Sequence, residues 1–279
     1  MSETTTLPPV IDVHAHIYPE RVAPLAVTSI SNFYHRVPMH HDGTIEDLLA
    51  AGKRAGVRRH LIFSCATSLH QVQSINNFII KECAAAPELI GLGTIQIGYE
   101  DYEAEFDRLY AAGIRGIKIH PDFQEFYLDD ERMMPIYRSI ADHHMFLLAH
   151  SGDYRYEYSS PTRLARVARA LPQLDIIAAH LGGWMCWKEA RQQLVTLPNM
   201  YMDTCSVLGF VGDEPLQQLL EVYDHTHIFF GTDYPMWDAA EEIARLRAAI
   251  SDPALLADIL YYNFRRFYQR YAPEEAAAF

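Results

Sequence analysis

One pattern constrains this chain more than any other: a short, apolar, β-rich run followed by an amphipathic stretch, repeated eight times. The runs cover residues 10–13, 60–65, 89–95, 116–120, 145–150, 174–180, 200–205 and 227–233. The stretches between them carry helix-start chemistry, as in Thr44 opening Thr-Ile-Glu-Asp, Ser160-Pro161 before 162–170, and Asp252-Pro253 before 254–267. Alternation of this kind implies a parallel sheet covered by helices on its buried faces. Two architectures share it, an open doubly wound sheet and a closed (β/α)8 TIM barrel, and eight units in roughly 250 residues is the size of the barrel. We read one α/β domain over residues 1–279, with its core over about 9–270, a loose tail at 271–279, and a long first loop at 18–42 able to cover a pocket.

Charge narrows the function classes. Thirty-six acidic against 23 basic residues give a net charge of −13, which disfavours nucleic acid or an anionic membrane as partner and leaves a small-molecule substrate, with a homo-oligomer compatible. The four cysteines show no CxxC spacing, the first residues lack a signal-peptide pattern, and no apolar run is long enough to span a bilayer. A cytoplasmic location is the expectation.

The histidines carry the chemistry. His14-Ala15-His16 ends the first run, and residues two apart on a strand share a face, so both imidazoles can meet one ion. A second such pair, His225-Thr226-His227, begins the eighth run; at about 3.3 Å per residue, His227 lies roughly 20 Å from Asp233 and belongs to the other end of the barrel. His150, His180 and Asp233 terminate later runs, at the strand ends where the active sites of such barrels lie. By strand parity Asp12, His14 and His16 share the inward face, as do Gly116, Lys118 and His120, and Phe229, Gly231 and Asp233. A single histidine at a strand end is ordinarily a hydrogen-bonded structural residue. Five metal-competent residues converging on one rim point to a divalent ion, zinc first, with manganese or iron also suited.

Asp12-Val-His14-Ala-His16, Gly116-Ile-Lys118-Ile-His120-Pro121, Ala149-His150-Ser-Gly, Ala179-His180-Leu-Gly-Gly, Gly231-Thr-Asp233-Tyr-Pro and Asn263-Phe-Arg-Arg266 follow one another along nearly the whole chain. In this order they resemble the amidohydrolase superfamily, in its amidohydrolase-related branch of TIM-barrel metal-dependent hydrolases. The resemblance implies a closed barrel and one metal held by His14, His16, His150 and Asp233. It also implies a metal-activated water, with Asp233 moving its proton and His180 polarising a carbonyl or orienting the water. In two-metal members a lysine placed like Lys118 can carry a bridging carbamate, and His120 would then serve the second metal. Otherwise Lys118 pairs with Asp233 or Asp12, or meets an anionic substrate, and His120 serves the substrate or caps the strand.

Loops 18–42, 122–129, 153–160, 182–187 and 234–238 would shape the substrate pocket, with Arg155 pairing a carboxylate and Trp184 or Trp237 supplying an apolar wall. Asp203 is a candidate partner for a ligand histidine. The expected activity is hydrolysis of a small amide, lactone or carboxylated substrate. The alternatives are non-oxidative decarboxylation of an aromatic or dienoic acid on the same scaffold, and a metal-stabilised barrel without turnover.

Overall fold

The computed structural model describes residues 8–211 and 213–279, apart from the side chains of residues 213–215 and 217. Its strands are β1 (Val10–His16), β2 (Val57–Phe63), β3 (Leu89–Gly91), β4 (Gly93–Thr94), β5 (Gly116–Ile119), β6 (Phe146–Ala149), β7 (Ile176–Ala178), β8 (Met200–Asp203) and β9 (Ile228–Phe229). Every pairing is parallel, in the orders β1-β2-β3 and β4-β5-β6-β7-β8-β9. Among the described residues thirteen α-helices are interleaved: α1 (Ala23–Phe33), α2 (Ile45–Ala55), α3 (Val72–Ala85), α4 (Tyr102–Ala111), α5 (Pro121–Gln124), α6 (Met133–Asp142), α7 (Pro161–Ala170), α8 (Trp187–Gln193), α9 (Asp213–Leu220), α10 (Ala239–Ala249), α11 (Pro253–Ala257), α12 (Asn263–Tyr268) and α13 (Pro273–Ala277).

The third apolar run is broken into β3 and β4 at Leu92, whose N–H still reaches Ile62 O at 2.9 Å, so the ribbon continues through the break. Gly91 and Gly93 flank it because α3 and α4 press on its outer face. A Cβ there would lie 2.6 Å from Ile79 and 2.5 Å from Leu109. At the other seam Val13 N–H donates to Phe230 O (2.9 Å), His16 N–H to Tyr234 O (2.7 Å) and Asp233 N–H to His14 O (2.9 Å). These bonds close a TIM barrel, which removes the sheet's edges.

The first strand departs from simple alternation. Asp12 pairs with His60 and Ala15 with Ile62, so three steps on β1 oppose two on β2, which is a bulge. Asp12 therefore lies on the outer face, not beside His14 as parity predicts. There its carboxylate accepts from Thr232 N (2.9 Å), Thr232 Oγ1 (2.6 Å) and the His14 N–H (3.1 Å), pinning the bulge to the closing seam. The extra residue keeps His14 and His16 inward.

Inside the barrel, Ile11, Val13, Leu61, Phe63, Leu148, Ile177 and Phe229 form a layer continuous with Phe264, Phe267, Tyr268 and Tyr271 at the amino-terminal mouth. A larger apolar layer joins the strands to the surrounding helices. Each buried aromatic contributes on the order of 2–3 kcal/mol. The tail expected to be loose is α13, with Ala276 buried, Phe279 stacked on Tyr268 at 5.6 Å, and Ala278 O accepting from Arg59 at 2.9 Å. The loop expected at 18–42 contains α1. His225 and His227 stay at the far end, bonded to Leu220 O and Met200 O at 2.9 Å each. No described helix is long and apolar enough to cross a membrane.

Candidate metal centre

Three of the four expected ligands meet at the carboxyl-terminal rim. His14 Nε2 and His16 Nε2 lie 3.5 and 3.4 Å from Asp233 Oδ1, above the edge of Phe63. Asp233 reaches this point from a left-handed backbone (φ 63°), and its other oxygen accepts from Ser206 Oγ at 2.5 Å, with Trp237 Nε1 donating to the same hydroxyl at 2.9 Å. Burial pushes the His16 imidazole down to about 4 against the pull of Asp233, so it is neutral at pH 7. Burial opposes ionisation of Asp233, but the hydrogen bond from His16 and the field of His14 and His180 hold it well below the usual carboxylate range. A carboxylate thus faces a cluster of imidazoles, that of His16 neutral at pH 7, a donor set suited to a divalent cation.

The hydrogen-bond partners assign the tautomers. His14 Nδ1 is 2.8 Å from Asp203 Oδ2, an acceptor, so Nδ1 carries the proton and the Nε2 lone pair points into the site. Lys118 Nζ, 3.3 Å away, donates to that lone pair. His180 Nδ1 faces Cys205 O at 3.0 Å and must also be the protonated nitrogen. His180 Nε2 then accepts from His150 Nδ1 at 2.9 Å, which leaves His150 Nε2 unprotonated, buried and without a hydrogen bond. That nitrogen lies 3.4 Å from Asp122 Oδ2, while Asp122 Oδ1 is also buried and unpartnered. Two facing acceptors require a proton or a cation between them, and burial pushes the Asp122 carboxyl up to about 7. The residues therefore fit a metal: His150 Nε2 and Asp122 Oδ1 are orphaned ligand atoms on one side of the cavity, and His14, His16 and Asp233 converge on the other. His14, Cys205 and Asp233 bring ligand atoms within 4.8 Å of one another, and so do His120, Asp122 and His150. His150 faces the second group, while lining one cavity with His16, His180 and Asp233.

Lys118 is fully buried, lies over Phe63 at 4.8 Å, and has no carboxylate within ion-pair distance among the described residues; burial lowers its affinity for the proton. The expected pairing with Asp233 or Asp12 is absent because the bulge removes Asp12 and the imidazoles occupy Asp233. His120 is stacked between Phe123 (3.7 Å) and His150 (3.8 Å). Its Nδ1 accepts the Phe123 N–H at 3.4 Å, so Nε2 donates to Tyr34 Oη at 3.1 Å and the phenol proton remains available to the cavity.

Arg155 does not face this cavity. Both arms of its guanidinium hold Asp153 (2.9 and 2.6 Å), a third bond reaches Phe33 O (2.5 Å), and the group lies over Phe33, Tyr34, Tyr156 and Trp184. It clamps the end of α1 over the rim. Trp184 does wall the cavity, with Tyr34, Phe210 and Met236, whereas Trp237 acts through Ser206. Sequence reasoning missed Tyr34, Asp122 and Ser206, which reach the site from the turn after α1, from α5 and from the turn after β8. Counting by two from Asp203 along β8 finds Cys205, whose Sγ donates to Asp203 Oδ1 at 2.9 Å.

A family model described as Amidohydrolase (Amidohydro_2) matches residues 11–270. No curated protein matches. A TIM-barrel protein from Bordetella bronchiseptica superposes with TM-score 0.79 at 18% identity, over 94% of this chain and 99% of that one. The 5-carboxyvanillate decarboxylase of Sphingomonas paucimobilis gives TM-score 0.72 at 17% identity, over 94% and 99%. That of Novosphingobium aromaticivorans, complexed with manganese and 4-hydroxy-3-methoxy-5-nitrobenzoic acid, gives 0.70 at 14%, over 94% and 96%. At these identities the structures speak for the fold alone. The family match spans all the rim histidines and Asp233, and the chain belongs to the Amidohydrolase family.

Proposed function

We propose that this chain is a metal-dependent, non-oxidative decarboxylase of a hydroxylated aromatic carboxylic acid. The observation that carries the reading is an ionised Asp233 within 3.5 Å of the His14 and His16 imidazoles at the base of a cavity walled by Tyr34, Trp184 and Phe210. The activities named for the Sphingomonas and Novosphingobium structures support it. His14, His16 and Asp233 would hold one divalent ion, with His150 completing the set; manganese and zinc both suit these donors. A bound ion would supply a Lewis acid that neutralises the charge of the substrate's oxygens.

The chain's own groups then have defined tasks. Asp233 accepts the substrate's hydroxyl proton and returns it to the ring carbon bearing the carboxylate. The carbon–carbon bond breaks, its electron pair re-enters the ring, carbon dioxide leaves, and the product oxygen regains a proton from solvent. Tyr34 donates its free O–H to a substrate oxygen, and the aromatic wall excludes water. Hydrolysis is the second reading, favoured by the family match: the same carboxylate would take a proton from water.

The test is incubation of manganese-reconstituted protein with 5-carboxyvanillate and a panel of hydroxybenzoates in D2O. The expected result is one carbon dioxide per product and one deuterium on the vacated ring carbon. Turnover of lactones or amides with no carbon dioxide from any acid overturns the decarboxylase reading in favour of hydrolysis.

A further inference from the structure

Two very different spaces adjoin the ligand residues. Beneath Tyr34 and Trp184, cavities of about 10 and 20 Å³ each hold about one water. Between α1 and α3 lies a chamber of about 650 Å³, within the range of small-molecule sites. Its lining includes His16, Ala26, Ile30, Phe33, Ile75 and Phe78. His16, Ile30 and Phe123 line both the smaller cavity and the chamber, so the two adjoin at a ligand histidine.

A space that takes one water admits a substrate's oxygens but not the whole of its ring. The body of any organic substrate whose acid group reaches His16 therefore has the chamber as its room, with Arg155 holding α1 closed over the rim. We infer that this chamber is the binding subsite for the substrate's apolar body, and that the substrate is a carboxylic acid extending well beyond a single ring. This rests on the proposed metal-anchored acid and adds to it the substrate's length and polarity. The walls suit that occupant: Ile30, Phe33, Ile75 and Phe78 offer aliphatic and aromatic surface along the chamber, with polar Ser64 and Cys65 lining it as well.

The experiment measures calorimetric affinities of a series of linear saturated monocarboxylates, from acetate to decanoate, with manganese-loaded and metal-free protein. Burial of one methylene is worth about fourfold in affinity. The expected result is a rise of about that size per added carbon until the chamber is full. Ala26→Trp, projecting from α1, should weaken octanoate at least tenfold and leave acetate unchanged. Ser74→Trp, from the opposite wall, serves as a second variant, with thermal unfolding reporting that each is folded. A flat series in the wild type with metal-dependent acetate binding overturns the chamber assignment and leaves the metal reading standing. A slope that both variants leave intact overturns it as well. A slope that persists without metal but is cut by the variants supports the chamber and overturns the metal anchor, and failure of every acid to bind overturns both.

Discussion

Replacing Asp203 by Asn tests the tautomer assignment on which ligand capacity depends. One carboxylate oxygen of Asp203 accepts from His14 Nδ1 (2.8 Å). The other accepts from the His180 N–H (2.8 Å), the Cys205 N–H (3.3 Å) and Cys205 Sγ (2.9 Å). Asparagine has one acceptor to offer. If its oxygen serves the backbone donors, its NH2 faces His14 Nδ1, which must shed its proton; the proton moves to Nε2 and the lone pair directed at Asp233 is lost. If the amide is flipped, its NH2 opposes two backbone N–H groups and the loop after β7 must shift. Loss of such a ligand-orienting partner costs about 10- to 100-fold in metal affinity, or about 1.4–2.8 kcal/mol. Equilibrium dialysis against manganese should show that weakening, and Cys205→Ser, which retains a donor to Asp203, should stay within a factor of a few of the wild type. Wild-type manganese affinity in Asp203→Asn would refute the argument, because it would mean that the His14 lone pair does not depend on Asp203.

Three further outcomes follow from the structure. Glu242 is fully buried with Oε2 unpartnered, and burial pushes its carboxyl up to about 7 despite Arg245. The folded state therefore retains a proton that the unfolded chain releases near 4.5, and stability falls as pH rises from there through 7, by about 3 kcal/mol at most. Denaturant melts should show Glu242→Gln flattening that decline, and an unchanged pH profile would count against it. Arg155→Ala removes the bond to Phe33 O and strands the buried Asp153; with about 1.5–3 kcal/mol lost from the clamp, trypsin should cut after the exposed Arg36 roughly tenfold faster or more. Equal cleavage rates would show that the clamp does not hold α1. Gly152 has φ 77°, and a Cβ there would lie 2.6 Å from the backbone of Gly183 and Trp184. Gly152→Ala should cost about 3 kcal/mol and lower Tm by about 6–10 °C in calorimetry, whereas a shift under 2 °C would mean that the turn relaxes freely.

The rim was largely legible in the sequence because strand ends are marked by the apolar runs they close, so His14, His16, His150, His180 and Asp233 all reach it. The face of Asp12 was not legible, because a bulge changes parity by one and leaves no trace in a two-residue period. His180 and Asp233 aim inward through positive-φ backbone at 62° and 63°, which periodicity cannot express. Arg155 read as a substrate cation because it is flanked by tyrosines, yet its partner Asp153 is two residues away in a loop whose shape pattern reasoning does not supply. Nor did the pattern place a helix within 18–42, since α1 has an unpolarised first turn and no side-chain cap.

α1 stands as a party wall between the small cavity over the histidines and the chamber against α3, with Ile30 lining both. Reshaping Ile30 to enlarge one compartment would disturb the other. Tolerance for bulk near the reacting carbon and tolerance for reach away from it should consequently vary together among variants of this helix, and selecting for either alone should favour changes on α3.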